Sequence, residues 1–125
     1  YMFPKDYLVR QLQQFVQALA MVILNKQQGE RELAQGIIHN TMMDLLGVSL
    51  DDVRALDDAA MLGLVTVDGA LRHDLAIAAA DLLAEDESPD GQLRAAWLFE
   101  AVLRSGGVVP HDVHQRIVEL KAGEG

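Results

Sequence analysis

His111 and His114 stand three residues apart with Asp112 between them, so on a helix the two imidazoles would share a face and the carboxylate could add an oxygen. That is a fragment of a metal site. Zinc takes three or four converging ligands, and the other two histidines, His39 and His73, would have to be delivered by folding. The plainer account is a helix start after Pro110, with Asp112 favourable at the positive end of the helix dipole. His73-Asp74 has the residue types of a base and its orienter, but neighbours on a helix diverge by about 100°, and no nucleophile is marked out. Asp51-Asp52 and Asp57-Asp58 could be carboxylate pairs for acid–base work or for a divalent cation. Adjacent residues on short exposed helices seldom acquire the split pKa values that such work needs, and neither pair fits an Asp-x-Asp-x-Asp-Gly calcium loop. Helix capping accounts for all four. The sequence contains no Gly-rich phosphate loop ending Gly-Lys-Ser/Thr, no Gly-x-Ser-x-Gly and no His-Glu-x-x-His. The expectation is a chain without catalytic residues, metal or cofactor.

Two features point instead to contact with another protein. The run Ala18-Leu19-Ala20-Met21-Val22-Ile23-Leu24 is apolar around the whole helix, although a surface helix needs a single stripe. Ala20, Met21 and Leu24 turn away from the stripe of Leu12 and Leu19, so either the chain covers this helix on both sides or its back face meets a second protomer. Trp97 falls opposite its helix's apolar stripe, beside Arg94, Glu100, Ala101 and Arg104. Trp and Arg are enriched at interface hot spots, so this group is a partner anchor unless the last helix packs over the indole.

These residues must be positioned by helices, because the periodicity is helical throughout and no stretch alternates long enough to make a strand. The first helix is expected from about Pro4 to Gln28, with Leu8, Leu12, Phe15, Val16, Leu19, Val22 and Ile23 inward. The second runs from about Glu30 to Leu46, with Ala34, Ile37, Ile38, Thr41, Met42 and Leu45 inward and Gly47 ending it. So short a link requires an antiparallel hairpin, residues 4–47. Short linking helices occupy residues 49–66: one opens at Ser49, with Asp52 three residues on as in a capping box, and another spans Ala59 to Val65. Asp68-Gly69 makes a turn. A fifth, Ala-rich helix runs from Leu71 to Asp86, and Ser88-Pro89-Asp90-Gly91 breaks it. A sixth spans Gln92 to Arg104, with Ala95, Leu98, Phe99, Val102 and Leu103 inward. Pro110 opens the last, which carries Val113, Ile117, Val118 and Leu120, and the tail from Ala122 is expected to fray. The fold expected is all-α, a single domain of about seven helices over residues 1–125.

The chain has 125 residues, 10 Lys and Arg against 19 Asp and Glu, and no cysteine, which excludes disulfides and thiolate chemistry. A net charge of −9 excludes nucleic acid, whose backbone is bound by neutralising phosphates. Residues 1–47 sum to zero, as do residues 94–125. The excess lies between Val48 and Leu93, where Arg54 and Arg72 face eleven carboxylates, as helix starts or as an acidic docking surface. No apolar run approaches the ~20 residues that cross a bilayer, and the longest follows a Gln-rich turn instead of a basic segment. A cytoplasmic chain with no membrane contact is expected. Tyr1 before Met2 reads as an added residue, with Met2 the natural start.

Asp90 to Leu103, with Ala95 four before Phe99 and then Val102-Leu103, resembles the second helix of a tetratricopeptide unit. The first half of that consensus is unmatched and no 34-residue period recurs. The opening Asp6-Tyr7-Leu8-Val9-Arg10-Gln11-Leu12-Gln13-Gln14-Phe15, with Leu45-Leu46-Gly47, resembles an uncharacterised bacterial all-helical family that joins such a hairpin to tetratricopeptide-like helices, here residues 71–121. The resemblance implies a binding role and brings no catalytic residues. The function expected is a non-enzymatic protein–protein interaction or scaffold module, homodimeric and with an unidentified protein or peptide partner. The alternatives are a small metal- or ligand-dependent enzyme using His111 and His114, and a structural subunit of a larger assembly.

Overall fold

The computed structural model describes residues 5–122. Leu, Gln, Ala and Met favour helix and fill Lys5–Gln27, which forms α1. The chain reverses at Gly29 in a left-handed conformation, and Arg31–Leu46 forms α2, packed back against α1. Phe15, Ala18 and Val22 of α1 enter one core with Ala34, Ile38 and Met42 of α2. Gln11 is also buried, because its Nε2 donates to the Leu45 carbonyl at 2.8 Å.

Leu50–Val53 forms α3, where the Ser49 hydroxyl accepts the Asp52 N–H at 3.1 Å. Asp58–Leu64 forms α4, capped by Asp57, whose Oδ1 accepts the Ala60 N–H at 2.8 Å. A two-stranded hairpin then intervenes, β1 at Thr66–Val67 and β2 at Ala70–Leu71, with Thr66 opposite Leu71 and Val67 opposite Ala70. Its turn holds Asp68 at φ 52° and Gly69 at φ 78°. Positive φ at both central residues is what a tight hairpin turn requires, and Asp-Gly supplies it.

His73–Leu83 forms α5, Pro89–Arg104 α6 and Val113–Ala122 α7. Helix α6 is the central one: it packs on α5, α7, α4 and α3, while α1 packs on α2 and α5. Ala76, Ala79 and Ala80 of α5 and Ala95 and Ala96 of α6 are fully buried where these two helices pack, while Ala78 and Ala84 are partly buried. Asp86, in the α5–α6 turn, joins four segments. Its carboxylate accepts from Arg54 at the end of α3 and from Gln35 Nε2 of α2, and its carbonyl accepts from Gln92 Nε2 of α6.

The all-α architecture and the element order match the sequence reading, and several details correct it. The β-hairpin of β1 and β2 was not expected, although Asp68-Gly69 was expected as a turn. Helix α5 starts after Leu71, which β2 takes, and stops at Leu83, short of Asp86. Ser88-Pro89-Asp90-Gly91 opens α6 as well as separating it from α5: Ser88 Oγ accepts the Asp90 N–H at 3.2 Å and Pro89 fills the first turn. Pro110 lies before α7 in a turn closed by the Val113 N–H and the Pro110 carbonyl at 3.0 Å. Val16 and Ile23, expected on the inward stripe of α1, are exposed. The expectations for Tyr1, Met2, Pro4 and the tail beyond Ala122 lie outside the described residues.

Candidate functional site

Helix α1 carries two apolar faces. The inner one holds Phe15, Ala18 and Val22; the outer one holds Val9, Val16 and Ile23, spaced seven residues apart and all exposed. Leu12 and Leu19 lie between these, half-buried against the core. Toward the other side, Met21 and Leu24 are 54% and 51% exposed, and Ala20 is exposed beside them. Among the described residues, eight of the ten exposed large hydrophobics lie on α1 and α2; the other two are Val108 and Val118. From Gln11 to Asn25 there is no ionisable side chain.

Two grooves flank this helix. One, about 470 Å³, runs between Gln14, Gln17 and Met21 of α1 and Ile37, Thr41 and Asp44 of α2. The other, about 480 Å³, lies over Val9, Leu12, Gln13, Val16 and Gln17. Gln17 borders both, so they form one continuous surface whose polar groups are chiefly glutamine amides.

The Trp97 group is divided by the fold. Arg94 is buried: its Nε and Nη2 donate to the Leu56 carbonyl at 3.0 and 2.7 Å and its Nη1 to the Asp90 carbonyl at 3.2 Å. Its guanidinium carbon lies 4.6 Å from the centroid of the half-buried Trp97 ring. Arg94 therefore serves the interior, and the exposed charge left on this helix end is Arg104, bordering a groove with Leu62, Leu71, Ala101 and Ser105.

His111 lies in the turn before α7 and His114 on α7, both exposed, so they do not share one helix face; His39 is exposed on α2. Among the described residues no three His, Asp or Glu side chains are grouped to hold a metal ion. His73 does meet a hydroxyl that the sequence left unmarked. Its Nε2 is 2.7 Å from Ser105 Oγ, which also lies 3.0 Å from the Val102 carbonyl. Both contacts are satisfied at once when Nε2–H donates to Oγ and Oγ–H donates to the Val102 carbonyl, an arrangement that clasps the end of α6 to the start of α5. The groups a nucleophile would need are committed elsewhere. Asp74 is held by Arg72 at 2.9 and 2.8 Å, and the Gly106 and Gly107 N–H groups donate to the carbonyls of Leu103 and Val102. The Arg72 hydrogen bonds, aided by the Leu75 N–H and opposed by desolvation, hold the Asp74 carboxyl below its usual range.

Six of the eleven carboxylates between Val48 and Leu93 have a cationic partner within 4 Å, among them Asp81 with Arg116 and Glu85 with Lys26. Three of the six, Asp81, Glu85 and Asp90, reach cations outside the segment, and the other three pair with Arg54 or Arg72 within it. No helix of the described residues is long and apolar enough to cross a membrane. No protein-family model matches the chain, and neither a curated protein nor a solved structure matches it.

Proposed function

We propose that the chain is a non-catalytic protein–protein interaction module whose contact surface is the outer face of the α1–α2 hairpin. One observation carries the reading: Val16, Met21, Ile23 and Leu24 are exposed on one helix stretch, Gln11–Asn25, that bears no charge. Scattered exposed leucines and valines are ordinary on a protein surface, whereas a contiguous apolar face rimmed by polar groups marks a contact site. The helices from α3 to α7, centred on α6, then act as the scaffold that holds the hairpin, with α5 buttressing the inner side of α1.

The reading is tested with a photo-crosslinking amino acid at Val16, compared with the same residue at Val118, an equally exposed valine on α7. In cells that make the protein, Val16 should be joined to protein and Val118 should not. Equal labelling at both positions, or none at Val16, would reject the hairpin face as the contact surface.

A further inference from the structure

We infer that the occupant of the α1 face is a second copy of this chain, joined through α1 about a two-fold axis. The inference rests on the reading above that this face is a contact surface, and adds its partner.

Three observations select a copy over a different protein. The first is spacing. Val9, Val16 and Ile23 repeat every seven residues, with Leu12 and Leu19 three residues after the first two. β-branched residues alternating with leucine in this register form the seam of paired helices. In this chain the β-branched positions are exposed and the leucines are half-buried, so the seam lies along the shoulder of α1, where the core face ends and the open face begins.

The second is charge. The protein carries −9, so two copies repel wherever their acidic parts approach. Residues 1–47, the hairpin, sum to zero, and the stretch Gln11–Asn25 has no ionisable group. The stretch free of charge is the one that carries the exposed Val16, Met21, Ile23 and Leu24. A partner chosen by charge would need charged groups along this surface, and between Gln11 and Asn25 α1 offers none.

The third is the chemistry of the rim. Gln13, Gln14 and Gln17 border the two grooves. A primary amide both donates and accepts, so a glutamine can pair with its own copy across a two-fold axis, which a lysine or glutamate cannot do.

The chain lacks cysteine, so a single introduced thiol reports one position without background. Val16 is at the centre of the seam and, in the parallel pair that this Val/Ile-with-Leu register favours, meets its own copy. Purified wild-type protein at micromolar concentration should sediment at twice 13.7 kDa. Raising the salt should leave the dimer unchanged or tighten it, because salt screens repulsion between the acidic bodies. Val16→Glu with Ile23→Glu should sediment as one chain while keeping the wild-type helical circular dichroism. Under mild oxidation Val16→Cys should yield a disulfide-linked dimer and Val118→Cys should not. A wild-type mass of one chain up to submillimolar concentration, or a dimer that weakens with salt or survives the double substitution, would overturn the inference. If the wild type is a single chain and the Val16 crosslinker captures a different protein, the contact-surface reading stands and the second copy is ruled out. If neither self nor other protein is captured at Val16, both fail.

Discussion

Arg54 grips Asp86 with two hydrogen bonds, Nη2 to Oδ1 at 2.6 Å and Nε to Oδ2 at 2.9 Å, across 32 residues of sequence. The Asp86 side chain has no solvent exposure, and Gln35 adds a third donor at 2.7 Å. The hydrogen bond to Asp86 is the main reason that the Arg54 guanidinium holds its proton more tightly than a free arginine. This contact ties α3 to the α5–α6 turn and, through Gln35, to α2.

Removing Arg54 leaves the buried Asp86 without a counter-charge, and removing Asp86 leaves Arg54 only its longer contact with the exposed Asp51 at 3.4 Å. Asp86→Ala and Arg54→Ala are each expected to cost about 3 kcal/mol or more, read from urea denaturation midpoints. The double variant should cost less than the sum of the two, because the second substitution removes a charge already orphaned. A loss below ~1 kcal/mol for each single change would contradict the role given to this pair.

Glycine substitutions should differ in sign according to what a methyl would meet. A Cβ at Gly91 would land on the Asp86 carboxylate, 2.7 Å from Cγ and 2.9 Å from Cβ. Gly91→Ala should therefore destabilise by about 1–3 kcal/mol, despite alanine's better helix propensity. Gly36 on α2 and Gly63 on α4 have open space at the same position and ordinary backbone angles. Gly36→Ala and Gly63→Ala should each stabilise by up to ~1 kcal/mol, raising the melting temperature.

The Asp74–Arg72 pair predicts a small pH-dependent term. Because the folded-state pKa of Asp74 is lowered, its stabilisation is present above the unfolded carboxylate value, about 3.9, and is lost as pH falls through the lower folded value. The Asp74 side chain is about half exposed, so the gain is below ~1 kcal/mol. Asp74→Asn should lower the stability by that amount at neutral pH, and the wild-type and variant denaturation curves should converge in acid. A difference that grows on acidification would have the wrong sign.

The Ser105–His73 contact is expected to be structural. Ser105→Ala should lower stability by about 1 kcal/mol, the usual net value of a hydrogen bond. Hydrolysis of an activated ester such as nitrophenyl acetate should be the same for wild type and variant. Ester hydrolysis that disappears in Ser105→Ala would make the pair a catalytic dyad.

The helices were legible in the sequence because period, capping residues and glycine stops agree along the chain: Ser49, Asp57 and Gly47 act where their types require. Which side of α1 faces inward was not legible. With apolar residues at Val9, Val16, Met21, Ile23 and Leu24 as well as at Phe15 and Val22, periodicity has no single phase, and the true inner face includes a glutamine, Gln11, admitted by a backbone carbonyl. The same limit hid the central role of α6, where a buried Arg94 sits in a place that composition assigns to solvent. Asp86 and Ser105 draw their meaning from Arg54, Gln35 and His73, which are 32, 51 and 32 positions away. Pairings this distant leave no local pattern.

Arg94 and Trp97 give the last prediction, in which one optical probe separates an internal clasp from a partner anchor. The guanidinium spends its fork on the Leu56 carbonyl and lies over the Trp97 ring, so both its hydrogen bonds and its stacking are internal. Arg94→Leu keeps apolar bulk but leaves the carbonyl without its donors, and should cost about 1–3 kcal/mol. Arg94→Lys keeps the charge but loses the planar fork, and should fall between the wild type and Arg94→Leu. Trp97 is the single tryptophan, so its emission reports the ring directly. Uncovering one ring face in Arg94→Leu should shift emission to the red and raise quenching by iodide. Unchanged stability together with unchanged emission and quenching would mean that Arg94 is dispensable inside the fold, and would return the Arg94–Trp97 face to the search for a partner.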